Sequence, residues 1–155
     1  MSDPILQIEL VPETCWYSNV RSEIPASDWE LIKKFVSKRA GRKCEICGGI
    51  GPKWPVEAHE RWAYDDINHV QTLEKIVALC PSCHQVKHFG FAQVQGKEKE
   101  ALAHLMKVNN WSATQAHQHI EQAISTWRTR SQHQWKLDIS GLEAGLKLIK
   151  EGLVP

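Results

Sequence analysis

The spacing of apolar residues changes period several times along this chain, and each change predicts an element. From Ile5 to Val11 apolar positions are interrupted by Gln7 and Glu9, which predicts a short strand that covers part of the core and ends at Pro12. Leu31, Ile32, Phe35 and Val36 then fall on one helical face. Ser27 followed by Glu30 has the spacing of a capping box, and Gly41 supplies the stop. Lys33, Lys34, Lys38 and Arg39 lie largely off that face, as a solvated cationic side that suits the negative end of the helix.

Between Arg42 and Gly90 the helical period gives way to Cys, His, Gly and Pro, the mark of a segment held by metal and turns. Pro55 to Trp62 and Thr72 to Leu79 read as two strands, joined by a polar loop. Pro81 suits a first helical position and places Cys83, His84 and His88 on one short helix.

Helical spacing returns from Lys97 to Val108, with Leu102, Leu105 and Met106 on one side. Ser112 and Gln115 form a second capping-box pair ahead of Ala113, Ala116, Ile120, Ile124 and Trp127. Gln134 to Ile139 has an extended pattern, and Leu142, Leu146 and Ile149 share the face of a last helix. The fold class expected is α+β. Segment 1–41 carries a strand and a helix, 42–90 the Cys/His module and 91–155 a helical extension, all packed as one compact unit.

Composition changes this picture little: 42% hydrophobic and 24% charged residues are ordinary for a globular chain and point to neither disorder nor a membrane partner. The apolar stretch Ile5–Val11 is too short and too interrupted for a signal-peptide core, so a cytoplasmic location is expected. A formal charge of +1 gives no global field to recruit a polyanion, and local clusters must do so.

The five cysteines narrow the chemistry further. Cys44-Glu-Ile-Cys47 and Cys80-Pro-Ser-Cys83 are two C-x-x-C pairs, each able to aim two thiolates at one ion through a tight turn. In a reducing compartment that pattern reads as tetrahedral structural Zn²⁺ rather than disulfides. An all-thiolate site is closed, so this zinc has no catalytic position. Cys15, beside Trp16 and Tyr17, reads as a buried inert thiol.

His84 and His88, four apart, share one face of the predicted helix and offer two imidazoles to a second cation. His59 or Glu60 on the first predicted strand can complete a mixed site. Both serve it together only if the strand bulges there, because neighbours on a strand point to opposite faces. A site of that kind, with open coordination positions, suits metal-assisted phosphodiester hydrolysis.

Cys-x-x-Cys, then Glu57-Ala58-His59, then Ala78-Leu-Cys-Pro-Ser-Cys-His-Gln-Val-Lys-His88 resembles the zinc-containing branch of the HNH nucleases, over about Arg42 to Gly90. The resemblance implies a ββα-metal core stapled by the four-cysteine zinc. It also implies a catalytic divalent cation, Mg²⁺ or a transition metal, held by His84 and His88 with His59 or Glu60, and a nucleic-acid substrate, DNA ahead of RNA. His59 is then either base or ligand, with Glu60 its partner in the same site.

Two positions depart from the family pattern: Ala58 precedes His59 where a ligand usually stands, and Lys75 occupies the place of the asparagine. Asp65, Asp66 and Asn68 in the inter-strand loop are candidate substitutes, and ordinary turn residues on the plainer view. Arg128, Arg130, His133 and Lys136 around Trp135 form a candidate nucleic-acid contact strip, and Lys75 is a separate candidate contact to the scissile phosphate. The expected function is therefore an HNH-type endonuclease, with a zinc-stabilised binding module of weak or no activity as the alternative.

Overall fold

The computed structural model describes residues 3–152. Strands β1 (Glu57–Asp65) and β2 (Val70–Leu79) pair as an antiparallel hairpin, and the short β3 (Lys136–Asp138) joins β2 in parallel. The mixed sheet therefore runs β1-β2-β3. Around it stand α1 (Val20–Glu23), α2 (Ala26–Arg39), α3 (Pro81–Lys87), α4 (Phe89–Val94), α5 (Glu98–Asn109), α6 (Ala113–Arg130) and α7 (Ser140–Lys150). With these seven α-helices among the described residues, the fold class is α+β, as expected.

The end of β2 organises the molecule. Ile76, Val77, Ala78 and Leu79 are all buried, because the sheet is covered on both faces and a strand in that position must be apolar throughout. Val77 and Leu79 enter one core with Leu6, Ile8, Val86, Phe89, Leu105, Ala116 and Ile120. Ile76 and Ala78 enter a second with Val20, Trp29, Ile32, Val36 and Leu146. Full burial of side chains such as Leu79, Phe89 and Leu105 stabilises by roughly 1.5–3 kcal/mol each.

Several sequence expectations need correction. Ile5–Val11 forms no strand, because its backbone donors are taken elsewhere: Ile5 and Leu6 donate to Asn109 Oδ1, Ile8 to His119 Nε2 and Glu9 to the Lys87 carbonyl. The segment is a strap laid over α3, α5 and α6. The Ser27/Glu30 capping box is not made either. Helix α2 already begins at Ala26, the amides of Asp28 and Trp29 donate to the Pro25 carbonyl, and Glu30 pairs with Lys33. Its buried face is Trp29, Ile32 and Val36, while Leu31 is exposed.

The second capping box forms as its spacing predicts. Gln115 N donates to Ser112 Oγ, and Ser112 N donates to Gln115 Oε1, at the start of α6. Gly41 ends α2 with a positive φ of 64°, where a side chain would be strained. No helix is long and apolar enough to cross a membrane among the described residues.

Candidate functional site

Two clusters of metal-ligating groups lie side by side where the β-hairpin meets α3. The first is Cys44, Cys47, Cys80 and Cys83. Its first pair sits on a tight turn: Gly48 N donates to the Cys44 carbonyl, Cys44 N donates to the Gly49 carbonyl, and Gly48 has φ 75°. The amides of Ile46 and Cys47 point at Cys44 Sγ and that of Gly49 at Cys47 Sγ, at 3.4–3.5 Å. Cys80 caps α3, accepting from Cys83 N, with Pro81 in the first turn.

These amides offset charge on the sulfurs, an arrangement that favours thiolates. Cys47 Sγ and Cys80 Sγ are 3.6 Å apart, near the roughly 3.8 Å edge of a tetrahedron whose Zn–S arms are about 2.3 Å. The donor set thus fits structural zinc. Among the sulfurs themselves, the Cys83 thiol donating to Cys44 lowers Cys44 to about 4, while the same contact holds Cys83 above its ordinary range. A bound dication would reverse that second effect by deprotonating the thiols. His104 from α5 adds a contact absent from the sequence reading, its Nε2 lying 3.2 Å from Cys83 Sγ.

The second cluster is His59 from β1 with His84 and His88 from the end of α3. Their candidate ligand atoms all lie within 4.8 Å of one another. The three rings pack edge to face, with centroids 4.7–5.3 Å apart. His84 Nε2 and His88 Nε2 are 3.1 Å apart, close to the roughly 3.3 Å separation that two Zn–N arms of about 2.0–2.1 Å require. His59 is buried, His84 half-buried and His88 exposed, so the cluster opens on one side.

Carboxylates behind two rings set their orientation. Glu57 Oε2 accepts from His84 Nδ1, which leaves Nε2 with the lone pair facing His88. Glu9 Oε2 lies 2.9 Å from His59 Nε2, and Glu9 Oε1 accepts from Lys87 Nζ at 2.7 Å, where Lys87 is itself buried. Burial raises the Glu9 carboxyl, but the hydrogen bond from His59 and the charge of Lys87 outweigh it and leave Glu9 below its usual range. Desolvation lowers both His84 and His88, with the like charges of neighbouring rings adding to it at His88. Neutral rings are what a cation needs.

Glu60, expected beside His59, is on the other face. The pairing from Glu57↔Leu79 to Arg61↔Lys75 is unbroken, and the register shifts only between Arg61 and Trp62, too late to turn Glu60 inward. Its Oε1 accepts from Val20 N, and burial raises its pKa. Lys75 is drawn to Glu45, 3.5 Å away. Asp65 caps the hairpin turn by accepting from the amides of Ile67 and Asn68 and from Asn68 Nδ2, so these groups close the far end of the hairpin.

The expected basic strip is divided. Arg130 makes a two-point ion pair with Asp66 at 2.8 and 3.0 Å and lies over Tyr64, while Trp135 Nε1 donates to the Arg130 carbonyl. Arg128 and Lys136 remain exposed. Cys15 is buried, and its thiol is raised by that burial.

Glu9, Glu57, Lys87 and His104 were not singled out by the sequence. Glu57 carried a usable signal, since it stands two residues before His59 and shares its strand face. Glu9 carried none, because its contacts span half the chain. Comparison with protein-family models, with curated proteins and with solved structures gives no match to this chain.

Proposed function

We propose that the chain is a metal-dependent endonuclease of HNH type that hydrolyses phosphodiester bonds in DNA or RNA. The observation that carries this reading is the convergence of His59, His84 and His88 beside the four cysteines, with one side of the cluster open. A hairpin followed by a cysteine-capped helix, β1-β2-α3, is the arrangement that the resembled family uses for a ββα-metal core.

In this reading His59, His84 and His88 are the ligands and the four-cysteine zinc is a staple. A divalent cation held there supplies Lewis-acid stabilisation of charge on the phosphate and the leaving oxygen. Glu9 and Glu57 hold His59 and His84 in the tautomers that present their other nitrogen. With Glu60 turned away, the proton acceptor is Glu57. Its Oε1, the oxygen not engaged with His84, takes a proton as a water oxygen bonds to phosphorus. The bond from phosphorus to the leaving oxygen then breaks, and solvent protonates that oxygen.

The test is cleavage of labelled duplex, single-stranded and RNA substrates with Mg²⁺, Mn²⁺, Co²⁺ or Ni²⁺. Activity should disappear in His84→Ala, and Glu57→Gln should lose about 10²–10⁴-fold in kcat. Absence of any cleavage that His84→Ala removes would sink the reading. One observation favours a second: Lys75 stands where the family has an amide and is occupied by Glu45, which suits a zinc-stabilised binding module of weak activity.

A further inference from the structure

A cavity of about 490 Å³ lies where α2 meets the start of β1 and the end of β2, lined there by Ser37, Ala58 and Ala78, and falls within the roughly 300–1,000 Å³ typical of small-ligand sites. Glu57 and His84 are among its lining, so it adjoins the histidine cluster. Arg21 from α1 and Lys33 from α2 line it as well. Trp54, from the loop between the first cysteine pair and β1, also lines it and is 62% exposed.

Each of these groups is available. Arg21 makes no ion pair within 4 Å among the described residues; it lies over the Trp29 ring at 5.1 Å, and its charge acts at longer range on the carboxyls of Glu30 and Glu60. Lys33 pairs with Glu30, but both side chains are well exposed, and such a surface pair is weak enough to be exchanged for a phosphate. The Trp54 loop is pinned. Gly51 N donates to the Pro55 carbonyl, and a Cβ at Gly51 would come within 2.3 Å of the Trp54 carbonyl and 2.6 Å of the Pro81 ring. Only glycine lets the loop pack on the start of α3, which fixes an apolar platform at the mouth of the cavity.

From this we infer that the cleft is a binding site for single-stranded nucleic acid. Arg21 and Lys33 contact its phosphates, and Trp54 stacks one base, beside the Glu57–His84 pair. Two cations and one open aromatic face at the edge of a cavity are the elements that hold unpaired strands without reading sequence. The cavity admits a nucleotide, whereas a duplex would keep its bases stacked inside and leave Trp54 unused. The reverse arrangement holds at the other end of the molecule, where Arg130 is neutralised by Asp66 and Trp135 is packed. This inference names the substrate face of the proposed nuclease and rests on that reading for its meaning, but binding is measured separately from cleavage.

The experiment is fluorescence anisotropy of a labelled single-stranded oligonucleotide with the full chain carrying His88→Ala, a position outside the cleft wall, and no added divalent cation. Arg21→Ala with Lys33→Ala should weaken binding at least tenfold and reduce the slope of log affinity against log salt by about 1.4, two contacts at roughly 0.7 each. Trp54→Ala should weaken it by about tenfold, and Trp54→Phe should restore most of that loss. Arg128→Ala with Lys136→Ala should change it less than twofold.

Equal affinity in all these variants, tighter binding of duplex than of single strand, or no binding by the parent would overturn the cleft assignment. Cleavage of a small phosphodiester by the chain with His88 intact and a divalent cation added, with no strand binding, would overturn it and leave the hydrolytic reading standing. Strand binding with these signatures, together with no cleavage by the chain with His88 intact and divalent cation present, would support the cleft and remove the nuclease.

Discussion

His59 and Glu60 are neighbours in sequence, yet they have opposite fates. His59 faces α3 and takes Glu9, while Glu60 faces α1 and takes the amide of Val20. Burial raises the Glu60 carboxyl, so its folded-state stabilisation is fully present only below its unfolded pKa, near 4.3, and is lost as pH rises through the folded value. At pH 7–8 the buried charge is a cost. Glu60→Gln keeps an oxygen for Val20 N and should raise the melting temperature at pH 7–8, with less gain at pH 4–5. It should also leave cleavage within about threefold of the parent. A loss of activity like that of His84→Ala would return Glu60 to the site.

Glu9 has the opposite sign. Its carboxyl is held below its usual range, so it contributes stability above the unfolded pKa that disappears as pH falls through the folded one. Glu9→Ala strands the buried Lys87 ammonium and should cost about 3 kcal/mol, read from denaturant titration at pH 7. Glu9→Gln should keep the fold and weaken loading of the histidine cluster by about 10–100-fold, measured by metal titration.

Among the elements, the strongest local signals were legible in sequence and the long-range ones were not. Two C-x-x-C pairs and Pro81 marked the knuckle and the start of α3, and both sit where the spacing placed them. Ser112 and Gln115 close a capping box because nothing competes for the first turn of α6. Ser112→Ala should therefore cost about 1 kcal/mol by thermal or chemical unfolding. Ser27 and Glu30 had the same spacing and failed, because the Pro25 carbonyl starts α2 two residues earlier.

Ile5–Val11 had a strand pattern, but a pattern shows only which residues are buried. Side chains of Asn109 and His119, far along the chain, decide that its amides join no ladder. The hairpin irregularity has the same character: nothing in Arg61-Trp62 announces that the register shifts there, past Glu60, and so leaves that carboxylate facing α1 rather than the histidines.

At the scale of the molecule, the sheet separates two cores, and the Cys/His clusters stand at one end of the hairpin, where α3 joins the first core. Zinc on the four cysteines would bind the knuckle at Cys44 to the cap of α3, the helix that presents His84 and His88. Cys44→Ser should lose the zinc and unfold the hairpin–α3 region, seen as collapse of near-ultraviolet circular dichroism and loss of amide protection there. His84→Ala should leave that region folded, because the histidine cluster is open and half-solvated.

The claim that one closed sulfur site and one open histidine site lie side by side is tested most directly by counting metal ions. Elemental analysis of the full chain after loading with Zn²⁺ or Co²⁺ should find two ions per molecule. His84→Ala should then retain one, the ion held by the four cysteines. A single ion in the parent, or an unchanged count of two in His84→Ala, would contradict the account.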